Sequence, residues 1–271
     1  MFSFAQDRFA SDLRRLAQLT RKTTGEVLKQ AARAVVADAC ALTPPRGETP
    51  LGAAGKNRNL NSLPGNSKAA EKQGRDAVER DAKFLFRTLD SLRLADESTP
   101  TGRSLHRLMR RNRFIELQEV LRKLGVHVAD VLPAASVATL DFYRDARGRI
   151  RRQGTRSRFV LVKDGRSIAR VIRTKQALVG TAKSGWRSAA AMVGLRLPAW
   201  IRRHGGSGIA TEALATDKPT ITVGNAVRYI QRAGREHEIM ETALANTRRN
   251  LPLQIEAILK RKAKAAGFRA K

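Results

Sequence analysis

The sequence predicts an α+β fold: long N-terminal and C-terminal helices packed around a small antiparallel sheet, with a helical insert. Three observations carry this. Apolar residues recur at three-and-four spacing through the first half of the chain, the composition turns strand-like after Pro133, and helical spacing returns from about Val227. The organisation that follows is an amphipathic helix at 1–43, a flexible loop or arm at 44–75 and a helical insert at 76–132. A β region containing the Trp186 helix occupies 133–226, and C-terminal helices with a basic tail occupy 227–271.

The first helix rests on Phe9, Leu13, Leu16 and Leu19, then Leu28, Ala31, Val35, Ala39 and Leu42, which share one helical face. Gly25, after two β-branched threonines, weakens the helix there and predicts either a kink or two helices with a short joint. Pro44 and Pro45 stop it, because proline has no N–H to donate and biases its predecessor away from helical dihedrals. Arg14, Arg15, Arg21, Lys22, Lys29 and Arg33 lie on the opposite face, which must stay in solvent. From Pro44 to Gly74, Gly, Pro, Asn and Ser dominate. That composition has too little apolar surface to order itself, and suits an arm that orders on a neighbouring subunit or a disordered linker.

Val78, Ala82, Leu85, Leu89 and Leu92 predict a helix from about Glu71 to Ala95, and Phe114, Leu117, Leu121 and Leu124 predict another over Ser104 to Leu124, stopped by Gly125. Beyond Pro133, Val137 to Tyr143 reads as strand, and Arg158–Lys163 with Ser167–Arg173 flank Asp164-Gly165 as a hairpin with a type I′ turn. A helix returns between Gly180 and Gly194, with Trp186, Ala189, Ala190 and Val193 on one side. Pro198 to Gly208 is a basic, glycine-rich loop, Ile221-Thr222-Val223 a short strand, and Pro252 separates a helix ending near Asn250 from a final one at Leu253–Lys264.

At 271 residues and 42% hydrophobic, the chain can bury a real core. Its formal net charge of +29 exceeds what solubility requires and calls for a polyanion or a strongly acidic surface as partner. A single cysteine, Cys40, excludes an intramolecular disulfide and a C-x-x-C metal site, and suits synthesis in a reducing cytoplasm. No run approaches the roughly 18 apolar residues of a membrane span. His106, His127, His204 and His237 have no partners at metal-ligand spacing. Gly205-Gly206-Ser207-Gly208 follows no strand and lacks the lysine of a phosphate loop, and of Asp217, Glu236, Glu238 and Glu241 three cluster at the start of a helical stretch, where they suit its dipole rather than acid–base pairing. The expectation is a protein without enzymatic activity, and with no catalytic, cofactor-binding or metal site.

The basic residues carry the functional signal. Twelve Lys/Arg against three acids between Asp141 and Lys175 place positive charge across the expected β region. The residues expected to face DNA are Arg144, Arg147, Arg149, Arg151, Arg152, Arg156 and Arg158, through phosphate contacts made irrespective of sequence. Aromatic residues make up only 5% of the chain, which disfavours a stacking platform for single strands.

In order along the chain stand a helix ending in Leu42-Thr43-Pro44, a central insert and a basic hairpin. Then come Ala182-Lys183-Ser184-Gly185-Trp186-Arg187-Ser188-Ala189, Pro198-Ala199-Trp200-Ile201-Arg202-Arg203-His204 and Ile221-Thr222-Val223-Gly224-Asn225 through Tyr229. Taken together these segments, covering about half the chain, resemble the tail-completion and neck proteins of long-tailed double-stranded-DNA bacteriophages, including head-to-tail connectors and minor tail components. The resemblance implies a non-enzymatic virion component of the neck or tail, synthesised in the bacterial host cytoplasm. It would form a homo-oligomeric ring, a multiple of six by resemblance, around the packaged DNA, and join portal, connector or tail-tube proteins without a membrane. Trp200, Arg202 and Arg203 are the expected interface residues, since a large indole beside so polar a stretch suits another chain. Trp186, on the apolar side of its helix, suits either an interface or the core. The alternative is a cytoplasmic DNA- or RNA-binding protein that acts without sequence preference.

Overall fold

Between one kinked helix and two, the chain takes the second: α1 (Asp7–Thr20) and α2 (Thr24–Leu42). Thr23 makes the break useful, because its hydroxyl accepts from the Glu26 amide at 3.2 Å while the Glu26 carboxylate accepts from the Thr23 amide at 2.8 Å. Such a reciprocal cap satisfies two amides that a helix start leaves bare, and is worth about 1 kcal/mol. The computed structural model describes residues 7–20, 23–45, 64–143, 159–216, 218–227, 230 and 235–265. Most of the 44–75 loop and the expected DNA-facing arginines, Arg144 through Arg158, lie outside the described residues.

After α2 follow α3 (Lys68–Leu85), β1 (Phe86–Arg87), α4 (Pro100–Arg110), α5 (Phe114–Lys123), β2 (Val128–Leu132), α6 (Val137–Phe142), β3 (Phe159–Val162) and α7 (Gly165–Ala177). The remainder is α8 (Thr181–Ser184), α9 (Arg187–Met192), α10 (Ala199–Arg202), β4 (Gly208–Ala213), β5 (Thr220–Asn225) and α11 (Arg235–Ala265). Helices and small sheets coexist as an α+β chain. It divides into a discontinuous unit, Met1–Gln73 with Gly180–Lys271, and an inserted unit, Gly74–Val179. The insert expected at 76–132 thus extends through the first half of the expected β region.

In the inserted unit the three strands are parallel, in the order β1-β3-β2. This corrects the expected hairpin at Asp164-Gly165. All four residues of β3 are buried, the pattern of a central strand covered on both faces. Phe159 and Leu161 pack with Leu105, Met109, Leu117 and Leu121 of α4 and α5, while Val160 and Val162 pack with Ala82, Leu85, Leu140 and Val171 of α3, α6 and α7. The next strand residue never comes, because the Asp164 carboxylate accepts from the Arg166 amide at 2.7 Å and starts α7. An aspartate before an apolar run caps a helix as readily as it opens a turn.

Three further expectations are corrected here. Val137 to Tyr143 is mostly helix, because the Ser136 hydroxyl accepts from the Thr139 amide at 3.1 Å and overrides the β-branched residues. The Glu71–Ala95 helix stops at Leu85, since Phe86 and Arg87 pair with β3. Ser104 to Leu124 splits at Asn112, which takes φ of 56°, a left-handed conformation asparagine tolerates.

The discontinuous unit holds the antiparallel pair β4–β5, in register from Gly208–Asn225 to Ala213–Thr220. α2 is buried along Val27, Leu28, Ala31, Val35, Val36 and Ala39, and packs against α1, α9, β5 and α11. Pro252, expected to separate two helices, lies inside the continuous α11, where it is exposed and removes only one backbone donor.

Candidate functional site

Three of the segments named above, the end of α2, Ala182 to Trp186 and the end of β5, meet in one buried node of the discontinuous unit. Its first member is the end of α2. The last carbonyls of a helix have no partners within it and bear its negative pole. Here the Ala39 carbonyl accepts from the Thr43 amide at 3.0 Å and from the Thr43 hydroxyl at 2.7 Å. The Cys40 carbonyl, and at 3.4 Å that of Ala41, accept from the fully buried Lys183 ammonium. A buried cation costs free energy unless its donors are used, and a helix C-terminus offers the acceptors.

Trp186, also fully buried, donates its indole N–H to the Thr43 hydroxyl at 2.8 Å. Asn225, at the end of β5, donates to the Ala182 carbonyl at 2.8 Å and accepts from the Val227 amide at 3.0 Å. Gly185 is required between them, since a Cβ there would lie 2.0 Å from the Asn225 side-chain oxygen. The node is thus a helix end, a lysine–tryptophan helix pair and a strand end tied by side-chain hydrogen bonds. The roles of Lys183 and Thr43 in this node escape a sequence reading, because each acts across the break between helices rather than along one face.

Cys40 sits in the same node with no exposed surface, and burial pushes its thiol up to about 11 against the opposing pull of the Lys183 charge. A raised thiol pKa contributes stability that is whole below the unfolded value, near 9, and is lost as pH rises from there toward 11. Chemical denaturation at pH 8 and at pH 10.5 should therefore show an alkaline loss of about 2 kcal/mol that Cys40→Ala removes. Equal alkaline losses in the two proteins would contradict this.

Trp200 is the principal correction among the expected interface residues. It is 6% exposed within its own chain, and its indole N–H donates to the Asn66 carbonyl at 3.2 Å. Its ring lies on Gly180, where a Cβ would approach to 2.9 Å and φ is 106°. Trp200 therefore belongs to the core, because the polar residues after it turn outward at the end of α10 while the indole turns inward. Arg203 is exposed and pairs with Glu71 of its own chain at 3.1 Å, and Arg202 is exposed.

The inserted unit contains a cavity of about 290 Å³ lined by Lys83, Phe86, Arg87, Thr88, Ser91 and Ile168. Lys83 is held by Glu79 at 2.6 Å and the Arg87 guanidinium lies 4.7 Å from the Phe159 ring centre. Neither histidine, cysteine nor carboxylate is among these lining residues. Among the described residues, no group of three or more His, Cys, Asp or Glu is placed to hold a metal ion, and no helix is long and apolar enough to cross a membrane. His106 bonds to the Ala95 carbonyl at 2.9 Å and lies 3.2 Å from Glu97, while His237 pairs with Glu241 at 2.9 Å, one turn along α11.

Comparison with known proteins finds no family model, no curated protein and no solved structure that matches this chain.

Proposed function

We propose that this chain is a structural component of the neck or tail of a long-tailed double-stranded-DNA bacteriophage, active in tail completion or head-to-tail joining and without catalysis of its own. It assembles as a ring around the DNA path and meets the adjoining portal, connector or tail-tube proteins. The observation that supports this reading is the contact among three of the resembling segments. Leu42-Thr43, Lys183 to Trp186 and Asn225, far apart in sequence, bond to one another in a single buried node. A formal charge of +29 per subunit supports a lumen that attracts phosphates, with ring closure sustained by apolar contacts or by acidic neighbours that offset the mutual repulsion.

Sedimentation velocity and negative-stain images of the purified protein, together with images of virions labelled against it, test the proposal. Rings in solution or label at the head–tail junction are expected. A protein that stays monomeric or dimeric at every concentration, never enters particles and still binds duplexes would be the cytoplasmic nucleic-acid-binding alternative.

A further inference from the structure

The conversion of the expected hairpin into α7 changes where positive charge lies. In Gly165–Ala177, Arg166, Arg170 and Arg173 stand at i, i+4 and i+7, which places all three guanidinium groups on one helical face. All three are exposed, and none of their side chains makes a hydrogen bond or ion pair among the described residues. α7 contains no acidic residue at all. The neighbouring Asp164 carboxylate is already committed to the Arg166 amide as a cap.

The rotation of this helix about its axis is fixed by bonds on its other side. The Ser167 hydroxyl accepts from the Ala135 amide at 2.9 Å and donates to the Asp164 carbonyl at 2.6 Å. Val171 is buried against β3, and Ile168 and Ile172 pack beside it. Near the C-terminal end, Lys175 is held by both oxygens of Asp141 at 2.7 Å. The three arginines therefore face solvent because the fold holds them there, and they do so together.

Several helical charges elsewhere in the chain are compensated by an acid on the adjacent turn. Lys83 pairs with Glu79, Arg113 with Glu116, His237 with Glu241 and Lys260 with Glu256, all at three- or four-residue spacing. Like charges at that spacing repel, so an uncompensated stripe weakens its own helix. A stripe kept in that state makes sense when the compensating anions come from another molecule. From Arg166 to Arg173 the helix rises about 10 Å. That is the axial rise of about three phosphate-to-phosphate steps along one strand of duplex DNA. Guanidinium groups suit the task, since each offers planar paired donors to phosphate oxygens.

We infer that the solvent face of α7, through Arg166, Arg170 and Arg173, is a docking surface for the phosphodiester backbone of double-stranded DNA. The inference rests on the proposed DNA path and names the part of this chain that touches it. Contacts of this kind position the duplex and carry no sequence information.

The test is titration of the full chain with short unrelated duplexes over a range of salt, for the wild type and for Arg166→Gln/Arg170→Gln/Arg173→Gln. Glutamine keeps the helix and removes the charge. Each lost phosphate contact should flatten the log–log salt dependence by about 0.9, so the triple variant should lose about 2.7 in slope and at least about tenfold in affinity at low salt. Arg166→Lys/Arg170→Lys/Arg173→Lys should keep most of the slope. Arg14→Gln/Arg15→Gln/Arg33→Gln removes the same charge from exposed positions on α1 and α2, and should keep a slope near that of the wild type.

Equal losses in the two glutamine variants, or none in the α7 variant, would overturn the assignment to α7 while leaving duplex binding and ring formation standing. A wild type that ignores duplexes at low salt but binds poly-glutamate would overturn it in favour of an acidic protein partner, and would remove DNA contact from the proposed function as well. Rings in negative stain should form equally in the α7 variant, because the stripe takes no part in the core.

Discussion

Replacing Trp186 by alanine is expected to lower the stability of the discontinuous unit by about 4 kcal/mol, the range for emptying a tryptophan site that cannot collapse. The indole has no exposed surface, and it is the donor that ties the end of α2 to the segment between α8 and α9. Trp186→Phe keeps most of the volume and loses the bond to Thr43, so it should cost only about 1 to 2 kcal/mol. Both tryptophans of the chain lie in the discontinuous unit, so tryptophan fluorescence during urea unfolding reports that unit, and Trp200 remains as the probe in the variant. An unfolding midpoint for Trp186→Ala equal to that of the wild type would contradict the node as described.

Trp200→Ala should also unfold the subunit more easily, by about 3 kcal/mol, with Trp186 now the probe. The side chain seats α10 on Gly180 and reaches the Asn66 carbonyl, so its removal opens a hole and leaves a carbonyl short of a donor. An interface tryptophan would behave otherwise. Its alanine variant would keep the melting temperature of the isolated subunit and lose association in sedimentation velocity. That second pattern would restore Trp200 to a contact between subunits.

The legible parts of this fold were those with a local physical cause. The break expected beside Gly25 falls between α1 and α2, Pro44 follows the end of α2 by two residues, and Ile221-Thr222-Val223 falls within β5. What misled was chemistry that serves two purposes. Asp164-Gly165 satisfies a type I′ turn and equally an N-cap, and only the partner of the preceding strand decides between them. Phe159-Val160-Leu161-Val162 is apolar without alternation, which is the mark of a strand buried on both faces rather than of a half-exposed hairpin arm. Val137 and Thr139 favour strand by shape, yet Ser136 supplies the cap and Leu140 the buried anchor that make a short helix.

The candidate site was legible in a different way. Net charge set the expectation of a polyanionic or acidic partner, while the placement of charge depended on secondary structure. With a hairpin over 158–173 the arginines would alternate across two strand faces. As a helix, the same residues gather three of them into a line. Trp200 was misplaced because the polarity of its neighbours along the chain says little about the direction of one side chain, which the glycine at Gly180 decides by leaving room for the ring.

The division into a discontinuous and an inserted unit also sets an order of events on the ribosome. The inserted unit occupies one continuous stretch, Gly74–Val179, and can complete its core as soon as that stretch has emerged. α2 has no such freedom. The lysine that closes its last turn lies 143 residues after Cys40, and β5 and α11 come later still. At about 5 to 20 residues per second, the apolar side of α2 waits roughly 7 to 30 s for its partners. During synthesis α2 emerges well before most of its packing partners, so Val27, Leu28, Val35 and Val36 form the surface that a nascent-chain chaperone would have to shield.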